Sequence, residues 1–348
     1  MVTIRRLEAI PFAIPLRAPL ATACGPIAAR RGLVVVLHAD GAVGLGEAAP
    51  HPAAAEAALA AVRTALAGAA RWLVGADASR LDALLAEAAA LPVAAACALD
   101  VALHDLVARA SGRAVCELLG GPARAAVTAS APPGVGGDAG YACAKVKVGP
   151  DAAAAVARVA AARAALPHVA LRADANGCWD VATAVRVARR LRPLGLEWLE
   201  QPVAPADIAG MACVRRRGGV AVAADEAVTG PEAVRALAAA DAADAVVLKL
   251  VQVGGLARAR AAAQAAAAAG LHVAVTTAID TGIGTAAALH LAAALPGPLR
   301  ACGVATGGLL AGDVVTPAIP SGPTMRPPRG PGLGVALDAA ALARWRTA

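Results

Sequence analysis

Residues 145–250 contain the stretches KVKVG (145–149), RADANG (172–177), EWLEQP (197–202), AADE (223–226) and VVLKL (246–250), and the prediction of the fold rests on this segment. Each stretch is a short apolar run with a charged residue at or near its end, namely Lys147, Asp174, Glu200, Asp225 and Lys249. Successive charged residues are 27, 26, 25 and 24 positions apart, about the length of one strand and one helix. The interval predicts parallel βα units whose charged strand ends share one rim.

The alternation of strand-like and alanine-rich runs extends on both sides of this segment. Eight strands are predicted, at 127–130, 144–148, 170–175, 197–201, 220–225, 245–250, 272–279 and 301–305. Short apolar strands that alternate with helices indicate a parallel sheet, and eight of them indicate a closed barrel. We therefore predict an α/β protein with a (β/α)7β-type TIM barrel at residues 126–313.

The two ends of the chain have a different pattern. Residues 1–125 predict strands at 2–16, 33–39 and 41–47, followed by helices at 53–66, 79–90 and 94–111. Gly41, Gly44 and Gly46 are predicted to be turn glycines, because no strand–loop–helix context for a dinucleotide loop surrounds them. The proline- and glycine-rich tail at 314–348 ends in a short helix begun by Asp338 and is expected to pack back on residues 1–125.

Composition argues against a membrane protein. Hydrophobic residues make up 59% of the chain, but alanine supplies most of them and aromatic residues only 2%. The uncharged window 261–279 changes at Gly270 from an alanine-rich helix pattern to a strand pattern, which predicts helix, stop and strand. The apolar N-terminus is interrupted by Glu8, Arg17 and several prolines, unlike a signal peptide. We therefore expect a cytoplasmic protein.

Charge and cysteine content exclude two further classes. The net charge of +7 comes from dispersed arginines, and Phe12 and Tyr141 are the only Phe and Tyr, so no stacking surface for nucleic acid is predicted. Seven scattered cysteines without a C-x-x-C pair indicate free thiols, not a disulfide framework or a zinc cluster.

Lysine is rare in this chain. Of 32 basic residues only Lys145, Lys147 and Lys249 are lysines, and all three lie in strand-like segments. Arginine stays protonated, whereas lysine can lose its proton where burial or a neighbouring cation favours the neutral amine. Lys145 lies two residues before Lys147 on the same strand face, where its charge would act in that way. Chance retention of surface lysines is the alternative.

The five charged strand ends predict a chemistry. Asp174, Glu200 and Asp225 would repel one another in a partly desolvated site unless a hard cation such as Mg²⁺ binds them. The cation would stabilise the enediolate that forms when a base removes the proton next to a substrate carboxylate, and Lys147 or Lys249 could be that base. Taken singly, each residue has a structural alternative: Asp174 or Asn176 could cap a helix, and of the neighbours Asp225 and Glu226 only one should point inward.

These motifs resemble the enolase superfamily in its muconate-lactonising subgroup, and the resemblance covers nearly the whole chain. The matching stretches are KVK, RADANG, EWLEQP, AADE and LKLVQVGG in the barrel, and GLGEAAP (44–50) and ALHDLVARASGRAVCELLGG (102–121) before it. The resemblance implies Mg²⁺ bound by Asp174, Glu200 and Asp225, with Lys147 and Lys249 as acid/base groups. It implies supporting roles for Lys145, Asn176, Glu226 and Asp280. It also implies an α+β capping domain built from both chain ends, whose loop near 17–25 closes over a small carboxylate substrate.

Within the subgroup, TTAIDTGIG (276–284) and ACGVATGGLLAGDV (301–314) are similar to o-succinylbenzoate synthases. Dipeptide epimerases carry an Asp-x-Asp where this chain has only Asp313, but N-succinylamino acid racemase and muconate cycloisomerase stay open. A Schiff-base barrel enzyme using Lys249 would leave the carboxylates unexplained, and a non-catalytic descendant would not need the intact lysines. A homo-oligomer also stays open.

Overall fold

The computed structural model describes residues 2–22, 25–50, 55–133 and 139–347. Its strands are β1 (Ile4–Thr22), β2 (Gly25–Ala39), β3 (Ala42–Ala48), β4 (Val127–Thr128), β5 (Cys143–Lys147), β6 (Ala170–Asp174), β7 (Leu196–Glu200), β8 (Val222–Ala224), β9 (Ala245–Lys249), β10 (His272–Thr276), β11 (Val315–Thr316), β12 (Thr324–Met325) and β13 (Ala336–Leu337). Its α-helices are α1 (Ala55–Leu73), α2 (Leu81–Ala88), α3 (Val93–Ala110), α4 (Val115–Leu118), α5 (Ala152–Ala165), α6 (Val181–Leu191), α7 (Ile208–Gly218), α8 (Pro231–Ala239), α9 (Leu250–Val253), α10 (Leu256–Ala268), α11 (Gly282–Ala294) and α12 (Ala339–Trp345).

The N-terminal region is an antiparallel meander, β1–β2–β3, covered by α1 to α3. Ile4, Phe12, Ile14 and Leu16 of β1 are buried, as expected for alternate residues of a strand with one face on the core. The predicted meander and helices are confirmed, although β1 continues six residues beyond the predicted end at 16.

The glycines of the GAVGLGE stretch do not share one role. Gly41 has a φ of +76° in the turn between β2 and β3, as predicted. The prediction is wrong for Gly44 and Gly46, which lie inside β3 against α3. A Cβ at either residue would collide with a backbone oxygen of α3, that of Ala102 or Ala98. These two glycines let a strand and a helix approach more closely than side chains would permit.

The barrel is a curled parallel sheet. Strands β5 to β10 are hydrogen-bonded to one another in sequence order, as the βα repeat predicts. Parallel bridges link Ala131 to Ala144, Ala129 to Cys302 and Thr276 to Gly303, so the two edge strands are joined through residues 129–131 and 302–303. These bridges close the ring.

Two of the eight predicted barrel strands differ from the structure. The segment at 301–305 forms single bridges instead of a strand, because the chain enters a 3₁₀-helix at Ala305–Leu309. The segment at 127–130 is reduced to β4, which pairs antiparallel with β12 of the tail. Backbone hydrogen bonds still join the two segments: the amide of Cys302 donates to the carbonyl of Thr128 at 2.8 Å.

The tail returns to the N-terminal region, as expected. The backbone amide of Leu333 donates to Asp105 at 2.7 Å, and that of Thr347 donates to the carbonyl of Pro11 at 3.1 Å. Asp338 accepts from the amide of Ala341 and begins α12. The domain boundaries at residues 125 and 313 stay predictions.

The apolar window at 261–279 forms the end of α10, a turn at Gly270 with φ +73°, and β10, as predicted. None of the helices within the described ranges is long and apolar enough to cross a membrane. The six cysteines in those ranges are free thiols, and Cys24 lies outside them.

Candidate active site

The ends of five neighbouring barrel strands carry the charged residues. Lys147, Asp174, Glu200 and Lys249 are the last residues of β5, β6, β7 and β9, and Asp225 directly follows β8. Lys147 is paired with Asp174, and Asp174 with Glu200, in the register of the sheet. The regular spacing in the sequence therefore corresponds to one layer of side chains at the carboxyl rim.

The three carboxylates form a compact buried cluster. One oxygen from each of Asp174, Glu200 and Asp225 lies within 4.8 Å of the others, and all three side chains are buried. Burial raises the pKa of Glu200 to about 7. The positive charge of Lys145 lowers this pKa, whereas the negative charges of Asp174 and Asp225 raise it further. An all-oxygen set of this kind fits a hard divalent cation such as Mg²⁺, which would relieve the mutual repulsion.

Lys145 lies between two of these carboxylates. Its Nζ is 2.9 Å from Oδ2 of Asp174 and 2.9 Å from Oε1 of Glu200. Burial alone would lower the pKa of Lys145, but the charges of Asp174 and Glu200 outweigh burial and raise it well above its ordinary value. Lys145 is therefore a fixed positive charge within the cluster.

Lys147 and Lys249 lie on opposite sides of the carboxylate strands and differ in exposure. The Nζ of Lys147 donates to Asp174 at 2.6 Å, and 45% of its side chain is exposed. The Nζ of Lys249 donates to both oxygens of Asp225, at 2.7 and 2.5 Å, and only 20% of its side chain is exposed. Lys147 is thus the more accessible amine, whereas the amine of Lys249 is hydrogen-bonded to both carboxylate oxygens of Asp225.

Asn176 and Glu226 also reach the site. Asn176 has a φ of +46° in the turn after β6, and its side chain bridges Lys147 and Glu226 at 2.8 Å each. The prediction that only one of Asp225 and Glu226 faces the site is wrong, since Asp225 binds Lys249 while Glu226 binds Asn176. Strand alternation does not apply here, because β8 ends at Ala224.

Asp280 belongs to a buried group that also includes Arg30 and Glu47. It is 3.7 Å from a guanidinium nitrogen of Arg30, which comes from the N-terminal sheet. Glu47, on β3, accepts from the backbone amide and the hydroxyl of Thr281, at 3.1 and 2.6 Å. Burial raises the pKa of Glu47 to about 7, and the charge of Asp280 adds to this. The group joins the N-terminal region to the loop after β10, and the charge of Lys249 also acts on Asp280.

The expected substrate loop near 17–25 includes the end of the β1–β2 hairpin. Arg17 donates to the carbonyl of Gly308, at the rim of the barrel, at 3.2 Å. Residues 23 and 24 lie outside the described ranges, so closure over a substrate stays a prediction.

Sequence reasoning missed the glutamines that hold Asp225. The buried side chain of Gln201 accepts from the backbone amides of Asp225 and Ala227, each at 3.1 Å, and Gln252 donates to the carbonyl of Asp225 at 2.6 Å. Gln201 directly follows Glu200 and has a φ of +38°. Its position inside the EWLEQP motif was the available signal.

Two known family models match this chain. A family model described as Enolase C-terminal domain-like matches residues 135–341, and the Mandelate racemase / muconate lactonizing enzyme, N-terminal domain model matches residues 5–120. The o-succinylbenzoate synthase of Thermobifida fusca (strain YX) is 47% identical over 179 residues, 50% of this chain and 55% of that protein. The chain thus matches about half the length of such curated relatives.

Solved structures match over a longer range. A muconate lactonizing enzyme from Pseudomonas fluorescens, complexed with muconolactone, has a TM-score of 0.93 at 27% identity and 99% coverage of both chains. The L-Ala-D/L-Glu epimerase from Bacillus subtilis, in a substrate-liganded complex, has a TM-score of 0.90 at 29% identity, covering 97% of this chain and 99% of that one.

Proposed function

Because the chain belongs to the mandelate racemase / muconate lactonizing enzyme family of the enolase superfamily, we propose that it is an o-succinylbenzoate synthase. The reaction is the Mg²⁺-dependent syn dehydration of a cyclohexadiene carboxylate to o-succinylbenzoate, a step towards menaquinone. The observation that carries the proposal is the placement of two lysines on either side of a three-carboxylate rim, together with relatives that bear this name. The enzyme would act on a small molecule in the cytoplasm.

The cation site comprises Asp174, Glu200 and Asp225. A bound Mg²⁺ would neutralise these carboxylates and stabilise the negative charge that develops on the substrate when its α-proton leaves. Lys145, held between Asp174 and Glu200, keeps a positive charge beside them. Gln201 and Gln252 fix the backbone of Asp225.

Lys147 is the proposed base. Its exposed amine takes the α-proton, and the electron pair of that C–H bond moves towards the substrate carboxylate. When the C–O bond breaks, the same amine returns the proton to the departing hydroxide on that face, which leaves as water. The ring gains a double bond and becomes aromatic. One accessible lysine is sufficient for this syn elimination.

Lys249 has the complementary role of a fixed cation. Both Asp225 oxygens hold its ammonium, and four-fifths of the side chain is covered. A cation held in this way stabilises negative charge or a substrate ring without moving a proton. The unequal surroundings of Lys147 and Lys249 favour dehydration over a reaction that needs two equivalent bases.

Two carboxylates near the last barrel strands help to distinguish between the candidate substrates. Asp313 accepts from the amides of Gly282 and Val314 at 2.9 and 2.7 Å, and Asp280 faces Arg30. Both are therefore engaged within the protein, which disfavours binding of a dipeptide ammonium there. Muconate cycloisomerase is the second candidate, because the solved structure with a TM-score of 0.93 is a muconate lactonizing enzyme.

A product assay tests the proposal. Enzyme with Mg²⁺ and the cyclohexadiene substrate should form o-succinylbenzoate, and EDTA should stop the reaction. Incubation with cis,cis-muconate, a dipeptide or an N-succinylamino acid in D₂O tests the alternatives. Lactone formation or rapid α-deuteration without dehydration would replace the synthase assignment.

A further inference from the structure

A chain of three hydrogen-bonded side chains leads from Glu226 to the proposed base. Oε1 of Glu226 accepts from Nδ2 of Asn176 at 2.8 Å, and Oδ1 of Asn176 accepts from Nζ of Lys147 at 2.8 Å. The backbone amide of Asn176 also donates to Oδ1 of Asp174 at 3.0 Å. Asn176 thus touches both the amine and a carboxylate of the rim.

The chemistry of the partners fixes the orientation of the Asn176 amide. A carboxylate can only accept, so Glu226 must face the NH₂ group, and an ammonium can only donate, so Lys147 must face the carbonyl oxygen. With Glu226 absent, the NH₂ group would have no acceptor and the amide could rotate. A flipped amide would turn two N–H donors towards Lys147 and remove one of its two anchors.

The hydrogen bonding of Glu226 is incomplete, which argues against a purely structural role. Its second oxygen, Oε2, is buried and has no hydrogen-bond partner among the described residues. A buried acceptor without a partner costs about 1–3 kcal/mol. Stability alone would therefore not favour a carboxylate at this position over an isosteric amide.

We infer that Glu226 is a positioning residue, which acts through Asn176 to hold the Lys147 amine at its place beside Asp174. The inference rests on the proposed role of Lys147 as base. Loss of a hydrogen-bonding partner behind a functional group typically lowers activity by about 10–100-fold. Displacing a reacting group by about 1 Å has an effect of similar size.

A double-mutant cycle tests this pathway. Glu226→Leu removes the acceptor for the NH₂ group of Asn176, so kcat for dehydration should fall about 10–100-fold with KM within about twofold. In an Asn176→Ala background the same change should alter kcat less than about twofold, since the intermediary is gone. Glu232→Gln, at an exposed carboxylate on α8, is the matched control and should leave kcat unchanged.

The outcomes separate positioning from a structural role. The Tm of Glu226→Leu should stay level or rise, because the buried Oε2 without a partner is also removed, while kcat falls. Equal loss of kcat in both backgrounds, or a Tm that falls together with kcat, would overturn the inference.

A crystal structure of Glu226→Leu decides the question independently of turnover. The distance from Asn176 Oδ1 to Lys147 Nζ should exceed the hydrogen-bonding range, and an unchanged contact would contradict the inference. If the wild type formed no o-succinylbenzoate, the proposed function would fail while this measurement still stood.

Discussion

The Nζ of Lys147 lies 2.6 Å from Oδ2 of Asp174, and the two residues are direct partners in the parallel register of β5 and β6. Asp174 is in turn the register partner of Glu200 on β7. Backbone pairing thereby brings one amine and two carboxylates to the same rim of the sheet. Rigid strands hold such groups more accurately than loops do, which suits chemistry that depends on sub-ångström placement.

The two lysines should respond differently to arginine. Lys147→Arg keeps a positive charge beside Asp174, but arginine cannot accept a proton at neutral pH. Dehydration should therefore fall by about 10²–10⁴-fold, the usual contribution of a positioned base. Lys249→Arg should lose less activity, because its proposed role needs only charge. Steady-state kinetics on both variants, with circular dichroism to verify folding, makes the comparison.

Equal and severe losses in both variants would indicate a two-base racemase or epimerase. Wild-type turnover in Lys147→Arg would exclude Lys147 as the base. Rapid α-deuteration of an N-succinylamino acid in D₂O would support a two-base racemase or epimerase.

The metal site is tested without any turnover. Isothermal titration of the wild type should show one Mg²⁺ bound. Loss of a residue that only hydrogen-bonds to a metal ligand typically lowers metal affinity by about 10–100-fold. Asp225→Asn removes a proposed ligand itself, so it should weaken Mg²⁺ binding by more than that. Asp82→Asn, at an exposed carboxylate on α2, is the control and should bind as the wild type does. Unchanged affinity in Asp225→Asn would remove Asp225 from the ligand set.

The sequence was most informative in the barrel, where one strand–helix unit of nearly constant length repeats. Strand ends 24 to 27 residues apart predicted a shared rim because every βα unit has nearly the same length. Contacts between distant segments carry no such period. Neither the anchoring of Asp225 by Gln201 nor the reduction of the predicted strand at 301–305 to single bridges follows from local pattern. Both depend on how the sheet curls, which is set by packing of the whole domain.

The glycines of β3 illustrate the same limit and give a stability test. Gly46→Ala would place a methyl group against the backbone oxygen of Ala98 in α3. Overpacking of this kind costs about 1–3 kcal/mol, so Tm and the free energy of unfolding should fall. Gly68→Ala in α1, where a Cβ meets nothing within 4 Å, should instead stabilise the protein by about 0.4–1 kcal/mol. Equal effects in the two variants would contradict the close strand–helix contact.

His290 joins three parts of the chain. It lies fully buried on α11, its Nδ1 accepts from the backbone amide of Cys116 at 3.3 Å, and its Nε2 donates to the carbonyl of Leu333 at 3.2 Å. These bonds require the neutral ring with the proton on Nε2. Burial lowers the pKa of His290 from 6.5 to about 4.

This depressed pKa predicts a pH dependence of stability. In the unfolded chain the histidine has its ordinary pKa of about 6.5 and takes up the proton before the folded chain does. The free energy of unfolding should therefore decrease as the pH falls from 6.5 towards 4. The loss attributable to His290 approaches about 3 kcal/mol below the folded pKa. Urea unfolding from pH 8 to 4 should show a shallower decline in His290→Gln, which has no titrating ring, and parallel stabilities for the two proteins above pH 7. Identical slopes below pH 6.5 would show that the buried ring charges without penalty.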